Sequence, residues 1–271
     1  GDSGRDALDR VYARVFGAEA AMVRFHWASG THVLKTALFA LLRPGDGLLY
    51  VTGKPYETMM PVIGTRAEPG RAGVVEPCAG EETPRMPFGS GSLRDFGISY
   101  KETGALLEYQ EGRISLSELG TKVEETLTPG TKVVTVQRSR GYTSRKSVTM
   151  ETLERFLALA AEKWPALYTV VDNCYCEFAQ DREPPAAGAS LTAGSLIKNP
   201  GGGICPTGGY VAGTSECVAR VADALYAPGL GSEVGSNPYG YRDAFQGLFM
   251  APRTVGESLR GAAFAAAFFQ E

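Results

Sequence analysis

Metal-ligating and disulfide-forming residues are scarce in this sequence. Its 271 residues include 2 histidines and 5 cysteines. The cysteine count is odd, and Cys174 and Cys176 are separated by a single residue, whereas the usual zinc or redox motif has a gap of two. We therefore predict free thiols in a reducing, cytoplasmic location, and no metal site.

Long apolar runs and an excess of one charge are also missing. No stretch approaches the roughly 20 apolar residues of a transmembrane helix, and the first residues, Gly1–Arg5, do not resemble a signal peptide. The 27 basic and 30 acidic residues leave a net charge of −3, which gives no electrostatic reason to expect a nucleic acid or an acidic membrane as partner. A hydrophobic content of 44% is typical of a globular protein with a buried core.

Both ends of the sequence resemble the interior of a longer chain. There is no initiator methionine, and the last residues, Phe268–Glu271, lie in an alanine-rich helical pattern without a cap signal. We therefore expect this chain to be one part of a longer protein.

Apolar periodicity alternates along the chain between the helical and the strand pattern. The predicted helices cover residues 5–16, 33–42, 116–126, 150–164, 215–225 and most of 241–271, and another begins near Tyr56. The predicted strands cover 21–23, 48–51, 97–100, 132–137, 168–172, 191–197 and 209–213. Residues 66–92 hold so many glycines and prolines that we expect a long surface loop or insertion there. The alternation predicts an α/β fold with a mostly parallel sheet flanked by helices.

Two charged residues follow predicted strands, at the sheet edge where α/β proteins bind ligands. Asp172 ends an apolar strand, where a carboxylate needs a cationic or hydrogen-bonding partner such as a protonated pyridine nitrogen. A helix cap or a turn is the alternative.

Lys198 follows the strand 191–197 and precedes the glycines 201–203. Partial burial is expected to lower its pKa and to make the amine a nucleophile. A phosphate-binding P-loop is excluded, because its lysine would follow the glycines.

Three further groups are predicted at the same edge. Ser29-Gly30-Thr31 lies between a strand and a helix, where hydroxyls and backbone N–H groups bind an anion or simply cap the helix. Tyr56 follows the strand 48–51 and could stack on a flat ring or lie in the core. Arg138 and Arg140 follow the strand 132–137 and suit phosphate or carboxylate recognition, with surface ion pairing as the alternative.

These groups lie in stretches that resemble a known family. Gln137–Tyr142, Val171–Tyr175 and Gly194–Gly203 are similar to the methionine gamma-lyase-like family, also called aluminium resistance proteins. Ser29–His32, Thr52–Tyr56 and Ala227–Gly231 match its pattern too, so the likeness covers nearly the whole chain outside 66–92. Members of this family are fold-type I proteins that depend on pyridoxal 5'-phosphate (PLP) and are related to the enzymes of cysteine and methionine metabolism.

The resemblance implies a role for each of the residues singled out above. It implies that Lys198 forms the Schiff base with PLP, that Asp172 faces the ring nitrogen, and that Tyr56 stacks on the ring, these three being the catalytic candidates. The cofactor-binding candidates are these three together with Ser29, Gly30, Thr31, Arg140 and Ser195. Many related enzymes have a threonine just before the lysine, where this chain has Ile197, so that phosphate contact is absent here.

The resemblance also implies the domain organisation and the activity. Residues 1–250 would be the PLP-binding large domain, and 251–271 would begin a helix that leads to a small C-terminal domain missing from this chain. The implied function is that of a carbon–sulfur lyase, which acts by elimination on a small sulfur-containing amino acid such as methionine, cystathionine or cysteine. An aminotransferase or another fold-type I reaction is one alternative, and a non-catalytic PLP-binding or regulatory protein is another. Because related enzymes assemble in this way, we expect a homodimer or homotetramer.

Overall fold

The computed structural model describes residues 2–65, 91–237 and 240–270. Within these ranges the chain forms seven strands and eight α-helices. The strands are β1 (Ala20–Arg24), β2 (Gly47–Tyr50), β3 (Ser99–Glu102), β4 (Thr131–Gln137), β5 (Tyr168–Asp172), β6 (Leu191–Ser195) and β7 (Gly209–Gly213). The helices are α1 (Asp2–Phe16), α2 (Gly30–Leu41), α3 (Met59–Ile63), α4 (Ala105–Gln110), α5 (Leu116–Thr126), α6 (Met150–Lys163), α7 (Ser215–Leu225) and α8 (Arg242–Phe268).

All seven strands belong to one sheet, in the order β1-β7-β6-β5-β4-β2-β3. The strands from β3 to β6 pair in parallel, and β7 is antiparallel to both of its neighbours, β6 and β1. β1 therefore runs in the same direction as β6, and six of these strands end at one edge of the sheet. The mostly parallel α/β sheet predicted from the sequence is confirmed.

Helices cover both faces of the sheet, because the strands alternate their apolar side chains between two cores. On β5, Val170 packs in a core with residues of α2 and α7, whereas its neighbour Val171 packs in a core with residues of α5 and α6. A third cluster places α1 and α8 against β1 and β7. The sheet is thereby buried from both sides, which leaves its edges as the places where polar side chains reach a crevice.

Cap residues explain why several helices begin where the sequence predicted. Ser115 and Glu118 form a capping box at the start of α5, and the Thr214 side chain accepts a hydrogen bond from the Cys217 N–H at the start of α7. The bounds predicted for α5, α7, β5 and β7 match the structure. α4 was missed, and α2 begins at Gly30, three residues before the predicted helix, because Ser29 is its N-cap.

The largest difference concerns the segment before Lys198. β6 ends at Ser195, two residues earlier than predicted, and the chain then turns. Gly201 closes this turn so tightly that a Cβ on it would lie 1.6 Å from the carbonyl oxygen of Leu196. Lys198 therefore lies in the turn and not at the end of a strand, because only glycine allows the two backbone segments to approach so closely.

Two other expectations concern the glycine- and proline-rich segment 66–92 and the C-terminal region. The surface loop expected over 66–92 lies outside the described residues, except for its last two positions. The expected domain boundary at 250/251 falls inside α8, which is one helix from Arg242 to Phe268. Among the helices described, none combines the length and the apolar character needed to cross a membrane.

Candidate active site

Lys198 is held in its turn by backbone and side-chain contacts. Its N–H donates to the carbonyl oxygen of Ser195 at 3.3 Å. The side-chain amide of the next residue, Asn199, donates to the carbonyl oxygen of Glu177 at 2.8 Å, which ties the turn to the loop after β5. The side chain of Lys198 is partly buried, and its Nζ lies 4.3 Å from the centre of the Tyr175 ring. These contacts direct the amine toward the carboxyl end of β5.

Asp172 is the last residue of β5 and is only 6% exposed. Its Oδ1 accepts a hydrogen bond from the backbone N–H of Cys174 at 3.1 Å. Burial raises the pKa of Asp172, and the nearby positive charges of Lys198 and Arg145 oppose this rise only in part. A buried carboxylate that would be stabilised by a further cationic partner therefore lies at the sheet edge.

The N-terminus of α2 meets these two residues through Gly30. A Cβ on Gly30 would lie 3.3 Å from Ser195 Cβ, 3.4 Å from Cys174 Sγ and 3.8 Å from Lys198 Nζ. Three segments that are far apart in the sequence thus converge around Gly30, where a side chain would be in close contact with its neighbours. Ser29 caps the helix and accepts from the N–H of His32 at 3.2 Å. The first intrahelical bond runs from Val33 to Ser29, so the N–H groups of Gly30 and Thr31 precede it and open the helix toward the crevice.

Ser195 and Thr31 extend the polar character of this helix end. Ser195 is fully buried at the end of β6, and its hydroxyl donates to the carbonyl oxygen of Gly208 at 3.4 Å. The Thr31 hydroxyl lies 2.6 Å from that of Thr58, just before α3. Hydroxyls and backbone N–H groups around a helix N-terminus suit an anion.

Tyr56 follows β2 and contacts residues at the end of β4 and in the loop after it. Its N–H donates to Gln137 Oε1 at 2.6 Å, and its ring centre is 5.7 Å from that of Tyr142. A hydrogen bond with Tyr142, together with burial and the negative potential of Tyr142 and Tyr175, raises the pKa of Tyr56 to about 12. The phenol therefore stays protonated at neutral pH and remains a hydrogen-bond donor.

The electrostatics of Lys198 differ from the prediction. Burial lowers the pKa of the amine, as expected, but the interactions with Cys174 and Asp172 outweigh it, so the pKa is raised from its ordinary value. The sequence-based prediction of a lowered pKa was wrong, because it considered desolvation without the opposite charge that β5 places next to the lysine. In this arrangement the amine is an ammonium that must lose a proton before it can attack.

The three arginines near the end of β4 have different positions. Arg138 is 2% exposed and donates to Asn173 Oδ1 at 2.7 Å and to Gln180 Oε1 at 3.1 Å, so it connects the end of β4 to the loop after β5. Arg140 is exposed, and its Nε donates to the carbonyl oxygen of Thr143 at 2.9 Å within its own loop. No contact described for Arg140 joins it to Lys198 or Asp172.

Arg145 was not predicted, and it is the arginine whose charge acts on Asp172. It is partly buried and donates to the carbonyl oxygen of Gln137 at 2.9 Å. Its position eight residues beyond the end of the predicted strand gave no sign of this, since the loop folds back only in three dimensions.

The loop after β5 holds two further features that the sequence did not predict. Tyr175 and Phe178 have positive φ angles of 68° and 59°, a conformation that is uncommon for residues other than glycine. Tyr175 is 63% exposed, yet its ring faces the Lys198 amine. Strained backbone at such a position is typical of functional sites. The only sign of Tyr175 in the sequence was its position three residues after Asp172.

Comparison with known proteins places this site in a family. The methionine gamma-lyase family model matches residues 1–78 and 85–271. The chain belongs to the methionine gamma-lyase family. This confirms the resemblance drawn from the motifs around Lys198, Asp172 and Ser29.

The alignments with similar proteins cover nearly the whole chain. The uncharacterized Bacillus subtilis (strain 168) protein YnbB is 40% identical over 270 residues, which is 100% of this chain and 58% of YnbB. The structure of a carbon-sulfur lyase involved in aluminum resistance from Clostridium novyi NT has a TM-score of 0.80 and 41% identity, and the match covers 97% of this chain and 56% of that one. A Listeria monocytogenes structure, provisionally described as a cystathionine beta-lyase involved in aluminum resistance, has a TM-score of 0.83 and 41% identity over 98% of this chain and 59% of that one.

A more distant structure identifies the fold. The pyridoxal-5'-phosphate dependent protein YhfS from Escherichia coli is 20% identical, with a TM-score of 0.61 over 92% of this chain and 54% of that one. The sheet and its flanking helices thus have the same fold as this PLP-dependent protein, consistent with the fold-type I architecture predicted from the sequence. This methionine gamma-lyase family member spans less than two thirds of the length of each of these relatives.

Proposed function

We propose that the protein to which this chain belongs is a PLP-dependent carbon–sulfur lyase that acts on a small sulfur-containing amino acid by elimination. The observation that carries the proposal is the meeting of the Lys198 amine, the buried Asp172 carboxylate and the N-terminus of α2 at Gly30. An amine, an acid and an anion site in one crevice are the three groups that PLP requires of a protein. Membership of the methionine gamma-lyase family and the name of the Clostridium novyi structure support the choice of a carbon–sulfur lyase.

The residues present fit PLP. Asp172 is buried, and a protonated ring nitrogen would supply the positive partner that its carboxylate needs. The N–H groups of Gly30 and Thr31, with the hydroxyls of Ser29 and Ser195, would hold the phosphate at the helix N-terminus. Gly30 has no side chain that would occupy the position between Ser195, Cys174 and Lys198.

The remaining roles follow from the positions of Tyr56 and Lys198. Tyr56 would lie against the ring and, as a protonated phenol, could donate a proton to the sulfur that departs. When bound, PLP supplies an electron-accepting ring that stabilises negative charge on the α-carbon of an amino acid. Lys198 would bind the cofactor covalently, and its released amine would remove the α-proton.

The test uses the full-length protein. Borohydride reduction in the presence of PLP, followed by peptide mapping, should place the label on Lys198, and Lys198→Ala should lose both the label and the absorbance of lysine-bound cofactor. Because general acid–base catalysis contributes roughly 10²–10⁴-fold, elimination should fall by at least that factor. Asp172→Asn should keep the label and slow the turnover, since the tether remains while the ring proton is held less well.

Exposed Lys146 provides the matched control, since Lys146→Ala should leave label and rate unchanged. Release of pyruvate or 2-oxobutyrate from sulfur amino acids without an added keto acid identifies elimination. A requirement for an amino acceptor would indicate an aminotransferase instead. A label on a lysine other than Lys198 would contradict the assignment.

A further inference from the structure

The ring of Tyr175 lies over the amine of the candidate nucleophile. Lys198 Nζ is 4.3 Å from the centre of this ring, which is within the range of a cation–π interaction. Tyr175 is nevertheless 63% exposed, so packing in a core does not explain why its ring is held there. The contact joins the loop after β5 to the turn after β6, and both belong to the candidate site.

The backbone at Tyr175 has a conformation that costs stability. Tyr175 is the third residue of a turn, which the Cys176 N–H closes by donating to the carbonyl oxygen of Asn173 at 2.8 Å. Its φ of 68° lies in the left-handed region, which glycine adopts freely and tyrosine adopts only at a cost. A glycine or an asparagine would suit this position of the turn better. The tyrosine therefore has a role other than stabilising the turn.

Hydrogen bonds on both sides hold this turn in place. The buried side chain of Asn173, at the start of the turn, donates to Glu183 Oε2 at 2.7 Å. Just after the turn, the carbonyl oxygen of Glu177 accepts from the side-chain amide of Asn199 at 2.8 Å. Because these bonds fix the loop independently of the ring, the strain in the turn persists, and the loop keeps its position relative to the lysine.

The ionisable groups that face the amine lie on the same sheet edge. Asp172, at the end of β5, favours the positive charge on Lys198, and Arg145 acts on Asp172 from the loop after β4. Cys174 Sγ and Lys198 Nζ lie 3.4 and 3.8 Å from the position that a Cβ on Gly30 would take. A substitution at position 175 changes none of these groups, so the contribution of the ring can be measured against a constant background.

We propose that Tyr175 is a positioning residue of this site, whose ring face binds the Lys198 ammonium and holds the amine in the crevice whenever it is not covalently bound. The interaction is electrostatic, because the negative face of an aromatic ring attracts a cation. The left-handed backbone is the conformation that brings the ring over the amine. This inference rests on the proposed function only for the identity of Lys198 as the nucleophile.

The test measures the reactivity of Lys198 in the full-length protein without cofactor. Trace acetic anhydride labels only the unprotonated amine, and peptide mass spectrometry compares Lys198 with exposed Lys146 over a range of pH. Tyr175→Gly removes the ring and suits the left-handed backbone. Lys198 should then label about two- to five-fold faster near neutral pH, the factor that corresponds to a lost cation–π interaction of roughly 0.5–1 kcal/mol. The labelling curve should move to lower pH, whereas greater access alone would raise the rate by the same factor at every pH.

Two matched variants separate the charge distribution of the ring from its shape. Tyr175→Phe keeps the ring and should label Lys198 like the parent. A pentafluorinated phenylalanine at position 175 keeps the shape but removes the negative ring face, so it should label Lys198 like the glycine variant. This pair carries the test if the glycine variant does not fold.

Stability provides an independent measurement. Because glycine adopts the left-handed region without strain, Tyr175→Gly should unfold at the same urea concentration as the parent or at a higher one, although Lys198 is no longer held. A clearly lower midpoint would show that the tyrosine stabilises the turn and would overturn the account of its strained backbone.

The results separate this inference from the proposed function. Unchanged labelling of Lys198 in Tyr175→Gly, an increase by the same factor at every pH, or equal labelling of the two phenylalanine variants would overturn the role of Tyr175. Failure of the parent protein to bind PLP on Lys198 would overturn the proposed function, while labelling without cofactor would still report on the contact between ring and amine.

Discussion

The buried carboxyl of Glu177 should make the stability of this protein depend on pH. Glu177 is 0% exposed, its Oε1 accepts from the Tyr210 hydroxyl at 2.9 Å, and its Oε2 has no partner among the described residues. Burial is the main reason that the pKa of Glu177 is raised from 4.5 to about 8. The unfolded chain releases this proton near pH 4.5, whereas the folded chain holds it until about pH 8. Between these values the folded state binds more protons, so the contribution of Glu177 to stability falls as pH rises.

The magnitude follows from the same two values. Each pH unit between them corresponds to about 1.4 kcal/mol, so complete ionisation of Glu177 costs the folded state about 5 kcal/mol at most. Glu177→Gln cannot ionise and keeps an acceptor for Tyr210. We expect the variant to resemble the parent near pH 5 and to be the more stable protein at pH 8, by a few kcal/mol.

Urea unfolding of the full-length protein at pH 5, 6, 7 and 8, followed by circular dichroism and tryptophan fluorescence, measures this difference. The exposed Glu162, changed to glutamine, is the matched control and should follow the parent at every pH. Parallel curves of unfolding free energy for Glu177→Gln and the parent between pH 5 and 8 would refute the reasoning. They would mean that Glu177 is already ionised in the folded protein, paired with a group that compensates its burial.

Two further predictions concern the cofactor cradle and the assembly. Gly30→Ala would place a methyl group 3.3 Å from Ser195 Cβ and 3.4 Å from Cys174 Sγ, so we expect about ten-fold weaker binding of PLP in a fluorescence titration, with little change in stability. Gly256→Ala on α8, with open space around it, should bind like the parent, and equal affinities for all three proteins would contradict this account of Gly30. Phe264 and Phe268 on α8 are 72% and 65% exposed, which leaves an apolar face to be covered. We expect the full-length protein to be a homodimer or homotetramer by light scattering at micromolar concentration, and a monomer would contradict that prediction.

The sequence by itself determined most of the elements and the edge at which to look for a site. The pattern of β5 and the caps of α5 and α7 are local, because helix caps and strand alternation depend on residues only a few positions apart. Once strands and helices alternate, the rule for parallel sheets brings Asp172 and Lys198 to one edge without any knowledge of their contacts. The family motifs then indicated the same residues.

Only the tertiary structure decided which charged and polar groups lie beside these residues. The pKa of Lys198 is raised because Cys174, in the loop after β5, and Asp172, at the end of β5, lie beside an amine that follows β6, and no local pattern contains that contact. The same is true of Arg145, whose loop folds back toward Asp172 while Arg140, the arginine predicted for the site, bonds within its own loop. Electrostatic interactions depend on distances of a few ångströms between segments that are far apart in the chain. For that reason the sequence could identify the lysine, whereas only the folded chain could show the state in which its amine is held.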